Sequence, residues 1–145
     1  MDDPYQLERF VAAQDSHGTY QRAVAELRAG AKRGHWMWFI FPQIAGLGFS
    51  AMSKRYAIGS LAEAQAYSEH PVLGPRLEVC ARIVAATEGK TAADIFGSVD
   101  AMKLRSSMTL FAAATDLPAF RTVLTKYFDS EPDEATLERL ELPDQ

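Results

Sequence analysis

Between Lys32 and Gln43 the chain reads KRGHWMWFIFPQ: a basic pair, a histidine, both tryptophans and two of the eight phenylalanines. Ammonium and guanidinium groups bind anions through charge-assisted hydrogen bonds, and indole faces stack on flat rings or take a cation. Lys32, Arg33, His35, Trp36 and Trp38 therefore combine what is needed to hold a phosphate and to stack a nucleobase or a sugar. The same residues also fit a plainer arrangement, in which Lys and Arg complement the partial negative charge of a helix C-terminus ahead of an aromatic core plug. His35 can exchange a proton near neutral pH, which makes it the first candidate acid or base, and it fits equally well as a hydrogen-bonded structural histidine.

A second constellation lies in DAMKLRSSMTLF. On a helix, Ser106 and Ser107 stand three and four positions after Lys103, so an ammonium is placed beside two hydroxyls on the neighbouring turn. Lys103 is a candidate to stabilise negative charge, paired with His35, while Ser106 and Ser107 are candidate ligand contacts. The alternative is a half-exposed helix with its serines packed where helices approach. Gln43, Lys54 and Arg55 complete the candidate ligand set. A serine–lysine nucleophile lacks its usual motif context. The three histidines and the single Cys80 are too scattered for a metal site. Gly46-x-Gly48 has no strand–loop–helix unit around it, so neither a metal nor a dinucleotide cofactor is expected.

The elements that must position these residues read as helices. Asp3-Pro4 is a start signal, with Tyr5, Leu7, Phe10 and Val11 on one side of a helix running to about Gln14. His17-Gly18 breaks it, and Tyr20, Val24, Leu27 and Ala31 define a second helix ending near Gly30 or Gly34. The aromatic segment that follows fits a short helix or a short strand, and Pro42 limits either. Ser60-Leu61-Ala62-Glu63 has the pattern of a capping box, and His70-Pro71 ends the helix it starts. Leu77, Cys80, Ala81 and Val84 share a helical face. Thr91 to Asp94 starts a short helix stopped by Gly97, Asp100 to Ala114 a long one, and Leu117-Pro118 another that carries Phe120, Val123, Leu124, Tyr127 and Phe128. The expectation is an all-α single domain over residues 1–145, with seven or eight mostly short helices and an acidic tail from about Asp129.

Composition narrows the function classes. With 145 residues, 48% hydrophobic and 23% charged, the chain can bury a core without staples and is not disordered. The net charge is −4, and the seven acids from Asp129 onward against Arg139 alone put −6 in the tail and +2 in the rest. That mildly positive body can attract a small anion but falls short of a general nucleic-acid binder. A lone cysteine and a polar N-terminal segment fit a reducing cytoplasm rather than secretion. His35 to Ser53 carries no formal charge, but Pro42, Gln43, Gly46, Gly48, Ser50 and Ser53 interrupt it, so burial in the protein is expected instead of membrane insertion.

LERFVAAQ (Leu7–Gln14), LRAGAKRGHWMWFIFPQIAGLG (Leu27–Gly48), RYAIGSLAEAQAY (Arg55–Tyr67), HPVLGPRL (His70–Leu77) and KLRSSMTLF (Lys103–Phe111) together resemble the domain-of-unknown-function family 1810. The resemblance runs from about Leu7 to Phe128 and implies a soluble, mainly α-helical bacterial protein, with no known reaction. Where that family often has Lys-Arg-Ser-His-Trp, this chain has Gly34 in place of the serine. The layout of an early Phe-x-x-Ala-Gln and a late Met-containing helix is remotely similar to YbiA-type N-glycosidases, which act on ribosylated, nucleotide-like substrates; such likeness does not by itself transfer a function.

Two expectations follow. In the first, the basic and aromatic residues form a pocket for a small anionic, nucleotide- or phosphate-like ligand, with glycosidic-bond hydrolysis as its finer form; the named side chains must then meet in one place. In the second, the domain is a non-enzymatic interaction module, the aromatic segment is core alone, and the polar residues diverge.

Overall fold

Asp3 sets the entry to the first helix, its carboxylate accepting the backbone N–H groups of Leu7 at 2.8 Å and Glu8 at 3.1 Å. The cap is therefore made, but Gln6 takes a positive φ of 54°, so α1 runs from Glu8 to Asp15 rather than from Tyr5. The structure, a computed structural model, describes residues 3–140. His17 and Gly18 both adopt positive φ in a 3-10 turn, which redirects the chain into α2 (Thr19–Arg28).

The aromatic segment resolves as one turn of helix, α3 (Met37–Ile40), flanked by Trp36 and Phe41. Trp36, Met37, Ile40 and Phe41 are buried, whereas Trp38 and Phe39 are half-buried. After Pro42 the chain makes an isolated parallel bridge between Ile44 and Ile58, across a loop that contains α4 (Ala51–Arg55). α5 (Leu61–Glu69) is capped by Ser60 through the Glu63 N–H, while the Glu63 carboxylate reaches back to Gly59 and not to Ser60. The other oxygen of Glu63 pairs with Arg9, whose guanidinium also holds the carbonyls of Arg55 and Ala57. In this way α1 fixes the far end of the loop.

His70 ends α5 and starts α6 (Leu73–Ala86), its Nδ1 accepting the N–H groups of Val72 and Leu73. The predicted stripe of Leu77, Cys80, Ala81 and Val84 is buried. Thr91 and Asp94 form a full capping box on α7 (Ala92–Phe96). Gly97, at φ 81° and ψ 159°, a backbone region open essentially to glycine, turns the chain directly into α8 (Ser98–Ala114). Pro118 opens α9 (Pro118–Phe128), and Asp133 caps α10 (Glu134–Arg139) within the acidic stretch. Glu141 and Asp144 of that stretch lie outside the described residues.

α8 is the long central helix, packed against α5, α7, α9 and α10, with Leu104, Met108, Leu110 and Phe111 fully buried. The described residues are all-α, as the periodicities indicate; their ten α-helical segments exceed the expected seven or eight because α3 and α4 are single turns. No described helix is long and apolar enough to cross a membrane.

Candidate functional site

Trp36 and Trp38 are two positions apart, about 200° around a helical turn, and so meet different surroundings. Trp36 is core, set among the rings of Phe41 and Phe96. Its indole N–H donates to Glu26 Oε1 at 2.9 Å, and the same oxygen accepts the backbone N–H groups of Arg33 at 2.7 Å and Gly34 at 2.9 Å. Burial alone would raise the Glu26 pKa, but the N–H donors of Gly34, Arg33 and Trp36 and the Lys32 charge outweigh it and hold the carboxyl below its usual range. A Cβ on residue 34 would stand 2.9 Å from Trp36 Cδ1, so glycine lets the indole approach the backbone closely here.

Lys32 points inward. Its side chain is 7% exposed, and Nζ lies 2.8 Å from Asp100 Oδ2, donates to the Gly34 carbonyl and sits 5.0 Å from the Trp36 ring centre. Asp100, in the first turn of α8, takes a second ammonium on its other oxygen, Lys103 Nζ at 3.2 Å. Burial tends to raise the Asp100 pKa, and the two lysines more than reverse this, so the carboxyl titrates below its ordinary range. Lys103 Nζ in turn stands 4.3 Å from the ring centre of half-buried Trp38. Lys32, Trp36, Trp38, Asp100 and Lys103 thus form one continuous cluster joining the α2–α3 loop to α8.

The remaining candidates divide. Ser107, one turn along α8 from Lys103, and Gln43, just beyond α3, are both buried; Ser107 Oγ and Gln43 Nε2 are the two buried side-chain polar atoms among the described residues with no hydrogen-bond partner. Ser106 faces the other way, donating to Asp133 Oδ2 at 3.1 Å in the junction with α10. Arg33 and His35 are exposed, and their side chains make no hydrogen bond to another described residue. Lys54 and Arg55 are exposed on α4, the Arg55 guanidinium lying 5.3 Å from the Tyr56 ring centre. The loop comes back to the cluster at Gly48, where a Cβ would stand 3.7 Å from Trp38 Cη2 and only 2.8 Å from the Ser53 side chain.

Two participants are absent from the sequence-derived set. Asp100 is visible in sequence as an acid three positions before Lys103, the spacing of a helical ion pair. Glu26 carries a subtler signal, an acid in the last turn of a helix, where the dipole disfavours it and another role has to hold it. The described residues contain no group of three or more His, Cys, Asp or Glu side chains able to hold a metal. Cys80 is on the buried face of α6 with its thiol pushed up to about 12 by burial, too high for a ready nucleophile.

No curated protein matches the chain. It is similar to a protein of known crystal structure, the conserved hypothetical protein Rv1873 from Mycobacterium tuberculosis, with 51% identity, a TM-score of 0.93, and coverage of 97% of this chain and 100% of that one. The pattern described as protein of unknown function DUF1810 matches residues 4–140, which makes this chain a member of the DUF1810 family.

Proposed function

We propose that the domain binds a small anionic, nucleotide- or phosphate-like ligand at the face shared by α3 and α8. Lys103 supplies the charge, Trp38 a ring, and Gln43 and Ser107 the neutral donors. One observation carries this reading: Gln43 Nε2 and Ser107 Oγ are buried donors without acceptors. Buried polar groups are almost always paired, since an unpaired one costs about 1–3 kcal/mol. An anion accepting from them would relieve that cost. On the helical period, Asp100, Lys103 and Ser107 fall within about 60° of one another on α8, so the cation and one unpaired donor share a face.

His35 and Arg33 stand exposed on the loop that Glu26 pins. Hydrolysis of a glycosidic bond, with His35 as acid or base, is the finer form of the proposal and rests on the sequence layout and that placement. The interaction-module alternative draws its support from Trp36, which is wholly core.

The test is a thermal-shift series with inorganic phosphate, nucleotides, NAD, ADP-ribose and sugar phosphates, on the parent protein and on Lys103→Ala and Ser107→Ala. A ligand at about 100 times its Kd adds roughly 2.7 kcal/mol of stability. The expected result is stabilisation by one class of anion, abolished in Lys103→Ala and weakened in Ser107→Ala. Absence of a shift with every compound would transfer the assignment to the interaction module.

A further inference from the structure

Large apolar side chains are left in solvent on the two segments that meet at the cluster, the loop after α3 and the helix α8. Phe49 is 89% exposed and follows Gly48, the residue that lies against Trp38. On α8, Val99 is 69% and Met102 63% exposed, and Val99 lies one helical turn before Lys103 on the same side of the helix. Met52, also exposed, shares α4 with Lys54 and Arg55. A chain that buries nearly all its other large apolar groups keeps these next to cations, a composition suited to neither inorganic phosphate nor a fully polar sugar phosphate.

We propose that the ligand of this site is an aryl-bearing anion, its charged group at Lys103 and its flat ring on an apolar rim formed by Phe49, Trp38 and Val99. The proposal rests on the anion-binding reading above and adds to it the apolar half of the ligand, with Phe49 and Val99 as further binding residues. The charge of the cluster fits one occupant: Lys103 is only partly neutralised by Asp100, which it shares with Lys32, so two ammonium groups face one carboxylate. A ring is favoured over an alkyl chain because Trp38 and Phe49 offer flat faces, and offset or edge-to-face ring pairs gain beyond the area they bury.

Inorganic phosphate and phenyl phosphate serve as matched probes, titrated calorimetrically into the parent protein and into Phe49→Ala, Val99→Ser and Lys103→Ala. Phe49 and Val99 are solvent-exposed, so their variants fold. Phenyl phosphate is expected to bind about tenfold more tightly than phosphate, an advantage that Phe49→Ala and Val99→Ser each reduce several-fold without changing phosphate binding. Equal affinity for the two probes, both lost in Lys103→Ala and untouched in Phe49→Ala, would overturn the aryl proposal while leaving the anion reading in place. Binding of neither probe to the parent protein would overturn both.

Discussion

Trp36 and Trp38 lie two residues apart in the same aromatic run, yet the polar groups around them are treated in opposite ways. Around Trp36 every partner is used: Glu26 Oε1 accepts three N–H donors, and Lys32 is divided between Asp100 and the Gly34 carbonyl. On the Trp38 side the ring is half-buried, Lys103 shares its carboxylate with another lysine, and the serine one turn along from Lys103 has no partner. A saturated polar centre holds a loop in place and leaves nothing over for a ligand. An unsaturated one carries a free-energy cost until something binds, which is the character of a site more than of a scaffold.

The largest expected effect tests that asymmetry on the tryptophans themselves. Trp36→Ala removes a fully buried indole and one of the three donors to Glu26 Oε1, so it should cost about 3–5 kcal/mol of unfolding free energy. Trp38→Ala removes a half-buried ring on the same one-turn helix and should cost roughly half as much. Urea denaturation of both variants measures the difference. Equal losses would mean that the two rings do the same packing work, and the division between scaffold and site would fail.

Next in size is the response to acid. Glu26 and Asp100 both titrate below their ordinary values of 4.5 and 3.8 in the folded protein. The unfolded chain therefore binds more protons through the acid range, so stability is complete above those ordinary values and falls as pH drops through the lower, folded ones. Glu26→Gln keeps the shape but removes the charge that faces three donors, and should cost about 1–2 kcal/mol at pH 7 while flattening the acid limb of the stability curve below about pH 5. Denaturation midpoints from pH 7 to pH 3 read this directly. An unchanged acid limb in Glu26→Gln would place the pH-sensitive anchor elsewhere.

How much of this could be read from sequence depends on how local each cause is. Thr91 with Asp94, Ser60, Pro118 and the Leu77–Val84 stripe act within a turn or two, and the corresponding helices stand where those residues put them. Gln6 does not announce its positive φ, so α1 begins later than Asp3-Pro4 suggests. The aromatic run fits either period over so few residues; in the structure it is a helical turn whose Phe39 carbonyl accepts a long-range bond from Gln14 Nε2 at 2.8 Å. The pairing of Lys103 with Trp38 joins residues far apart in the chain, and residue type alone could nominate both without joining them. Lys54, Arg55 and Ser106 carry the same residue-type signal as Lys103 and Ser107, and only the tertiary arrangement distinguishes the two groups.

That distinction reaches its finest grain at the adjacent serines of α8. Ser106 Oγ donates to Asp133 Oδ2, an oxygen that also takes the Thr136 N–H and hydroxyl, so its removal subtracts from a complete network at the α8–α10 junction. Ser106→Ala should destabilise the protein by about 1 kcal/mol. Ser107 is fully buried with its hydroxyl unpaired, and replacing it by alanine removes a group that is desolvated for no return in the ligand-free protein. Ser107→Ala should therefore be neutral or stabilising by up to about 1 kcal/mol, while weakening any anion that binds beside Lys103. A functional hydroxyl is expected to show this opposition of stability and binding, whereas a structural one loses both together. If Ser107→Ala destabilises as much as Ser106→Ala, the hydroxyl has an ordinary partner such as a buried water, and the unsaturated side of the comparison loses its main support.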